Sequence, residues 1–368
     1  MNNPGTTAAA MSGGVDSSVA AAMLAREGRR LVGFSMQLID KLAGEAERYG
    51  RCCSPEDFKD ARRVAERMGF PHYIIDMEQE FMERVVRPFA ADYAAGRTPS
   101  PCVNCNTFIK FDSLIARSRA VGAEKVATGH YAILERDPKS GRTLLRKARD
   151  LTKDQSYFLF DLSDEQRASA EFPLGRLSKD EVRELAREFQ LDNADKPESM
   201  DLCFVAKGED YRGFLERQGL MAKREAGEIV NSSGEVLGEH GSIGDYTVGQ
   251  RKGIQVPSQD KLYVLRIEPE QKRVVVGGGD ELLSDRCVIE RTRWIPFETL
   301  DGPISGDMRI RSNDSGSPAT VTPLPDGRAE VRFDEPQRAI APGQAAVLYD
   351  GDLVLGGGWI VANPGTGA

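Results

Sequence analysis

The segment Ser12-Gly13-Gly14-Val15-Asp16-Ser17-Ser18 lies between a short apolar run, Thr6 to Met11, and an Ala-rich, helix-prone run, Val15 to Arg26. A strand that turns through two glycines into a helix constrains the fold more than any other feature of this chain. The glycines let the backbone turn tightly and approach a ligand closely. Successive backbone N–H groups then form an anion-binding nest, and the helix N-terminus adds partial positive charge. Ser12, Ser17 and Ser18 can donate hydroxyls. Asp16 is an odd neighbour for phosphate unless it meets a magnesium ion or caps the helix. For the loop alone two readings stand: a phosphate site, or a Gly-Gly turn with Asp16 as N-cap.

The alternation continues through the first 130 residues. Leu31 to Leu38 reads as a buried strand. Ser54, Pro55 and Asp57 predict a capped helix running to about Met68. His72 to Asp76 and Lys125 to His130 read as strands, the second preceded by a helical stretch from Ile109 to Ala120. This predicts an α/β, Rossmann-like domain: a parallel sheet with helices on both faces. In such sheets ligands bind beyond the carboxyl ends of the strands. Residues 132–148 read as a hairpin with a basic second half. From Arg136 to Lys153 there are seven Lys/Arg against two Asp. That stretch suits a phosphate backbone, or is a solvated hairpin. Ser178 and Glu181 frame another capped helix reaching Gln190.

After about Lys207 the texture changes to short alternating strands between Gly-rich turns. They are Tyr263 to Ile267, Arg273 to Val276, Met308 to Arg311, Ala329 to Phe333 and Ala345 to Tyr349. This predicts a small central module followed by a β-barrel. The expected division is 1–207 for the phosphate-loop domain, 208–275 for the central module, 276–363 for the barrel and 364–368 for a frayed tail.

Composition narrows the class. The net charge of -8 argues against a surface coated for nucleic acid but leaves room for a local basic groove. No run of about 20 apolar residues could span a membrane, and the first ten residues lack signal-peptide character. The expectation is a cytoplasmic protein. Six cysteines in 368 residues are not a disulfide scaffold, and three histidines argue against a His-rich metal site. Cys102 and Cys105 form a C-x-x-C read as lying on a loop, and Cys203 follows far downstream. Thiol chemistry, metal ligation and simple burial are all open to them. Arg97 and Lys110 flank the pair, and positive charge favours thiolate. Zinc would want four ligands where these segments offer three. Cys287 reads as a small buried hydrophobe, and Cys52-Cys53 as structural.

There is no G-x-x-x-x-G-K-[ST], so the loop is not of Walker type. It is similar to the PP-loop, S-G-G-x-D-S, of ATP pyrophosphatases, which cleave between the α- and β-phosphates and adenylate a substrate oxygen. Further motifs accompany it: Gly96-Arg97-Thr98-Pro99 with Cys105-Asn106, Ile109-Lys110-Phe111, Ala127-Thr128-Gly129-His130-Tyr131 and Lys153-Asp154-Gln155-Ser156-Tyr157-Phe158. Phe172-Pro173-Leu174-Gly175, Thr247 to Gly253, Phe333 to Gln337 and Pro342-Gly343-Gln344 complete the series. On these motifs the chain resembles the tRNA-specific 2-thiouridylase family (MnmA) along nearly its whole length.

The resemblance implies that ATP, with Mg2+, adenylates the 2-oxygen of the wobble uridine of certain tRNAs. A protein persulfide, charged by a sulfur-donor protein, then delivers sulfur to give 2-thiouridine, AMP and pyrophosphate. By motif match Cys203 is the persulfide carrier and Cys105 the nucleophile. Ala10, Met11, Ser12, Gly13, Gly14, Val15, Asp16, Ser17, Met36 and Gly129 match ATP contacts. Ser100, Pro101, Cys102, His130, Lys153, Asp154, Gln155, Arg311, Ser312 and Gln344 match tRNA contacts. A monomer that takes one tRNA is expected.

There is a departure from the pattern. Some members carry Asp where this chain has Cys102, and that carboxylate is a candidate general base. Its absence leaves the base unassigned. Cys102, Cys105 and Cys203 also resemble the three-cysteine sets that hold an iron–sulfur cluster in related thiolation enzymes, which makes a cluster mechanism the alternative. Two rivals lie further off: a PP-loop synthetase that adenylates a small molecule, and a non-catalytic RNA-binding or metal-storage protein.

Overall fold

The computed structural model describes residues 5–39, 54–197, 202–205, 208–221, 224–254, 256–258 and 260–362. Cys52-Cys53 and the tail from 363 lie outside these. The chain divides into two compact units. One comprises Met1–Val86, Cys102–Phe214 and Asp352–Val354; the other comprises Arg87–Pro101, Leu215–Gly351 and Leu355–Ala368.

The first unit is built on a five-stranded parallel sheet. Its strands are β1 (Thr6–Ala10), β2 (Leu31–Gln37), β3 (His72–Asp76), β4 (Ala123–Ala127) and the short β7 (Ala170–Glu171), ordered β3-β2-β1-β4-β7. A hairpin of β5 (Ile133–Arg136) and β6 (Thr143–Arg146) comes between β4 and β7 in sequence. Strand order runs outward in both directions from β1, so the crevice between the ends of β1 and β4 is a topological switch point. Ligands bind there in open α/β sheets.

Helix α1 (Val15–Arg26) returns from that crevice. Val19, Ala20, Ala21, Ala22 and Leu24 are all buried, because small side chains let the helix lie close to its neighbours. It packs on α2 (Pro55–Met68) and on the helix Lys179–Glu188, where Ala61, Val64, Ala65, Val182 and Ala186 complete the core. Each buried Val or Leu stabilises this layer by about 1.5–3 kcal/mol. The start of α2 is fixed by a capping box: the Ser54 hydroxyl accepts from the Asp57 N–H at 3.1 Å, and the Ser54 N–H donates to Asp57 Oδ2 at 2.9 Å. Gly69 ends the helix with φ +79°, where other residues are strained. A second capping box, Ser178 with Glu181, starts the helix at Lys179.

Two local expectations need correction. The cysteine pair is not on a loop. Pro101 begins a helical turn, Pro101–Asn104, which continues through a wider π-type coil, Cys105–Ser113, into Leu114–Ala120. Proline at the first position of a helix was the overlooked start signal, and π-type coils occur often at functional sites. Strand β4 also stops at Ala127, so Gly129 and His130 belong to the turn beyond it.

In the second unit β8 (Gly227–Asn231), β9 (Val236–His240), β10 (Tyr263–Glu268) and β11 (Arg273–Gly277) form a sheet ordered β10-β11-β8-β9. Ile229, Val264, Val274 and Val276 fill its core. Six further strands follow: β12 (Leu283–Trp294), β13 (Ile304–Arg309), β14 (Ser317–Pro323), β15 (Ala329–Arg338), β16 (Ala345–Asp350) and β17 (Leu353–Ala362). They run β12-β15-β14-β13-β16-β17, and β12 pairs with β17 to close the ring. Closure removes the exposed edges that a sheet of this length would otherwise carry.

Candidate active site

The segment from Ser12 to Ser18 leaves β1 at the switch point and opens α1. Gly13 has φ +74°, and a Cβ there would run into the backbone of Asp57. Only glycine fits. Gly14 is the N-cap of α1 and no side chain caps the helix. Asp16 is therefore not the cap, and the first N–H groups of α1 remain available for an anion. The loop is braced from within. The Ser17 hydroxyl accepts from the Ser12 N–H at 3.1 Å and donates to the Gly14 carbonyl at 3.1 Å. Gly129, two residues beyond the end of β4, presses on the same helix start. A Cβ on it would stand 2.6 Å from the Ser17 nitrogen. Ala10 ends β1, Met11 is buried behind the loop, and Met36 lies near the end of β2.

The loop's acid has a partner that sequence reasoning missed. Lys179 Nζ donates to both oxygens of Asp16, at 2.7 and 2.9 Å, and the Tyr131 hydroxyl donates to Oδ1 at 2.8 Å. Tyr131 is in turn held at its backbone: its N–H donates to Gln155 Oε1 at 2.9 Å, and its carbonyl accepts from the Gln155 N–H at 2.9 Å. A signal existed. Lysine at the first position of a helix opposes the helix dipole, which suggests an outside partner. On the other side of the loop Asn193 Nδ2 donates to the Gly13 carbonyl at 3.1 Å and to Ser18 Oγ at 2.9 Å. Lys196 Nζ donates to the same carbonyl at 3.1 Å, to Asp57 at 2.7 Å and to Asp60 at 2.6 Å. Burial alone would lower the Lys196 pKa, but hydrogen bonds to Asp57 and Asp60 outweigh it and raise it. No local sequence pattern marks Asn193 or Lys196.

The cysteines occupy three environments. Cys102 is exposed, Cys105 is buried and Cys203 is half-buried. Protein packed round the Cys102 sulfur raises its pKa, and nearby Lys110 only partly opposes this, so the thiol stays protonated at neutral pH. Among the described residues no group of three or more His, Cys, Asp or Glu could hold a metal ion. Cys102, Cys105 and Cys203 form no such group, so the iron–sulfur alternative has no ligand set among the described residues. Cys287 is fully buried on β12, and burial and Glu330 push its thiol up to about 12.

Beside the cysteine helix, Lys110 Nζ donates to Asn106 Oδ1 at 2.9 Å and meets His130 Nε2 at 3.4 Å. His130 Nδ1 lies 2.6 Å from Thr128 Oγ1, and its ring packs against Phe111 and Phe172. Burial, with Lys110 adding to it, holds its pKa well below the usual histidine range. An ammonium can only donate, so Nε2 accepts and the proton belongs on Nδ1. Positive charge thus sits about one turn of the π-type coil beyond Cys105.

Of the residues matched to tRNA contacts, Asp154 accepts from the Ala148 and Ser156 N–H groups at 3.0 and 3.2 Å, and Lys153 is half-buried beside it. In the second unit Gln344 Nε2 donates to the carbonyls of Thr98 and Pro99 at 3.0 and 3.2 Å, and the Thr98 N–H donates to the Pro342 carbonyl at 2.8 Å. Two motifs nearly 250 residues apart in sequence therefore meet just before Ser100 and Pro101, which are buried. Arg311 and Ser312 are exposed on a turn, where the Arg311 guanidinium donates to the Arg338 carbonyl at 2.7 Å.

Three family models match the chain. One described as a tRNA methyl transferase HUP domain covers residues 6–207, a tRNA methyl transferase PRC-barrel domain covers 212–278, and an aminomethyltransferase beta-barrel domain covers 284–360. The chain is 48% identical to the tRNA-specific 2-thiouridylase MnmA of Solibacter usitatus, over 96% of this chain and 98% of that protein. It is 48% identical to the protein of that name from Acidobacterium capsulatum, over 97% and 99% of the two chains. The Koribacter versatilis protein of that name is 47% identical over 98% of this chain and 100% of its own.

Proposed function

Because this chain belongs to the family of tRNA-specific 2-thiouridylases, we propose that it converts a wobble uridine of tRNA to 2-thiouridine at the expense of ATP. One observation carries the nucleotide half of this reading. The helix start at the sheet's switch point has no side-chain cap and is reached through a glycine no other residue can replace.

In this reading the uracil 2-oxygen attacks the α-phosphorus of ATP and pyrophosphate leaves. Loop N–H groups hold the departing phosphates. A carbonyl oxygen is a poor leaving group, and adenylation makes it a good one. The terminal sulfur of a Cys203 persulfide then attacks the 2-carbon, and AMP leaves with the former 2-oxygen. The Cys105 thiolate attacks Cys203 Sγ and breaks the S–S bond, leaving sulfur on the base and a Cys105–Cys203 disulfide. An external dithiol must reduce that disulfide, and a persulfide donor protein must recharge Cys203. Lys110 provides the positive charge that favours thiolate at the helix carrying Cys105. Asp16, Asp57 and Asp60 already hold lysines, so these carboxylates do not fit a protein magnesium cage; an ion arriving with the nucleotide would supply neutralising charge.

Residues 1–207 would carry this chemistry, while 208–275 and 276–363 would grip the RNA of a single tRNA bound to a monomer. Cys102, Arg311 and Ser312 are read as RNA-facing, while buried Ser100 and Pro101 and the Gln344 amide are read as shaping that surface from beneath. His130 and Gln155 are read as acting at one remove, through Lys110 and Tyr131. The test is to supply ATP, unmodified tRNA and a persulfide donor. The expected result is one AMP and one pyrophosphate per 2-thiouridine. AMP release that ignores tRNA would favour the small-molecule synthetase instead.

A further inference from the structure

Two motifs of the sequence take no part in the proposed chemistry: the basic hairpin β5–β6 and Phe172-Pro173-Leu174-Gly175. The fold brings them together. A Cβ on Gly175 would stand 1.9 Å from the Ala132 carbonyl oxygen, just before the hairpin. The Arg149 N–H, just after the hairpin, donates to the Gly175 carbonyl at 2.9 Å. The turn is therefore packed onto both flanks of the hairpin, an approach that only glycine allows.

Hairpin and turn, with β4 and β7, border a cleft of about 420 Å3, within the size range of small-molecule sites. Ile133, Phe172 and Pro173 give it an apolar wall, and four cations reach it: Lys125, Arg136, Arg167 and Arg176. The Phe172 ring also packs against His130 and Phe111, with centroids 5.6 and 5.7 Å away, which fixes its position.

The charge of the cleft is not balanced from within. Its two acids belong to cations that do not line it: Glu135 to Arg146 at 2.8 Å and Glu171 to Arg29 at 2.5 Å. Arg167 is buried and committed to the Thr143 carbonyl at 2.6 Å and to Asp164 at 3.1 Å. Lys125 donates only to the Ala168 carbonyl. Arg136 and Arg176 are exposed, and among the described residues no carboxylate holds either one. Three cations without a counter-charge thus stand beside an aromatic ring. Guanidinium groups bind phosphate through paired hydrogen bonds, and nucleobases pack on aromatic side chains.

We propose that this cleft is a second nucleotide site, sharing no residue with the Ser12–Ser18 loop. Arg136 and Arg176 take the phosphate, Lys125 adds charge, and the base lies against Phe172 and Pro173. The nucleotide is either one residue of a bound RNA or a free mononucleotide. The RNA source rests on the proposed function; the free source does not.

Equilibrium dialysis of the full-length protein against millimolar AMP tests the site. The double variant Arg136→Gln, Arg176→Gln should bind one AMP fewer per chain than the wild type. Lys139→Gln, an exposed hairpin lysine outside the cleft, should keep the full count. Both arginines are exposed, so the melting temperature should hold. If the occupant is part of RNA, unmodified tRNA displaces the AMP that the double variant lacks. That variant then binds tRNA about tenfold more weakly, with a salt slope lower by about two. If the occupant is a free nucleotide, tRNA displaces nothing from the cleft. Equal AMP counts in wild type and double variant overturn the proposal, whatever tRNA does. An extra AMP site in a protein that makes no 2-thiouridine would sink the proposed function and leave the cleft standing.

Discussion

The phosphate loop and the cysteine segments, which the proposed function joins in one reaction, are built in opposite ways. In the loop almost every polar group is committed before any ligand arrives: Asp16 to Lys179 and Tyr131, the Gly13 carbonyl to Asn193 and Lys196, Ser17 to its neighbours. Among the described residues no side chain caps the start of α1, and its N–H groups are what an anion needs. The cysteines are graded instead, from exposed Cys102 through half-buried Cys203 to buried Cys105. One region is preorganised, where electrostatic stabilisation is most effective. On the proposed mechanism the other would present a thiol to a donor and then to a base, which a single rigid setting could not do.

If the two regions are separable, Cys105→Ser and Cys203→Ser should each cut 2-thiouridine formation on the order of a thousandfold or more. Nucleotide affinity, read by calorimetry, should stay within about threefold, since these thiols lie outside the phosphate nest. Loss of both together would break the comparison. Gly13→Ala should act on the other side. A methyl group meets the Asp57 backbone at positive φ, costing about 1–3 kcal/mol of stability and most nucleotide binding. A melting curve and a binding isotherm check it, and near-normal affinity would refute the close packing.

Lys179→Met should cost about 2 kcal/mol, because it leaves Asp16 partly buried without its cation. Asp16→Asn in the same chain should recover part of that, and a double-mutant cycle measures the coupling. A cycle that sums to zero would mean the pair is incidental.

Smaller effects sharpen the picture. All three histidines, His72, His130 and His240, have pKa values lowered first by burial. The unfolded chain then binds protons that the folded one refuses. Stability is full above the unfolded value of about 6.5 and falls as pH drops below it. His130 alone contributes up to about 1.4 kcal/mol per pH unit. Urea titrations at several pH values should show this slope, and His130→Gln, if it folds, should reduce it. Last, Cys287→Ala should leave thiolation unchanged, and the native thiol should resist alkylation at pH 8 because its pKa is pushed up to about 12.

What could be read in advance follows from how local each signal is. The strand-loop-helix at Ser12, the capping boxes at Ser54 and Ser178 and the helix Val15–Arg26 are encoded within a few residues, and the structure has them as expected. The C-x-x-C was misread as a loop because its helix opens with a proline and a π-type coil, which disturbs the usual periodicity. Lys179, Asn193 and Lys196 were missed because their partners lie more than 130 residues away in sequence. Long-range ion pairs leave almost no local trace. His130 was matched to RNA by motif, and its burial between Phe111 and Phe172 was not visible from composition.

The central claim is that ATP activates the base by taking its oxygen. It is tested most directly with tRNA carrying 18O at the 2-position of the wobble uridine. After one turnover with ATP and a persulfide donor, the account predicts the label in AMP, one 18O for each 2-thiouridine formed. Label in inorganic phosphate, in pyrophosphate or in water would contradict it.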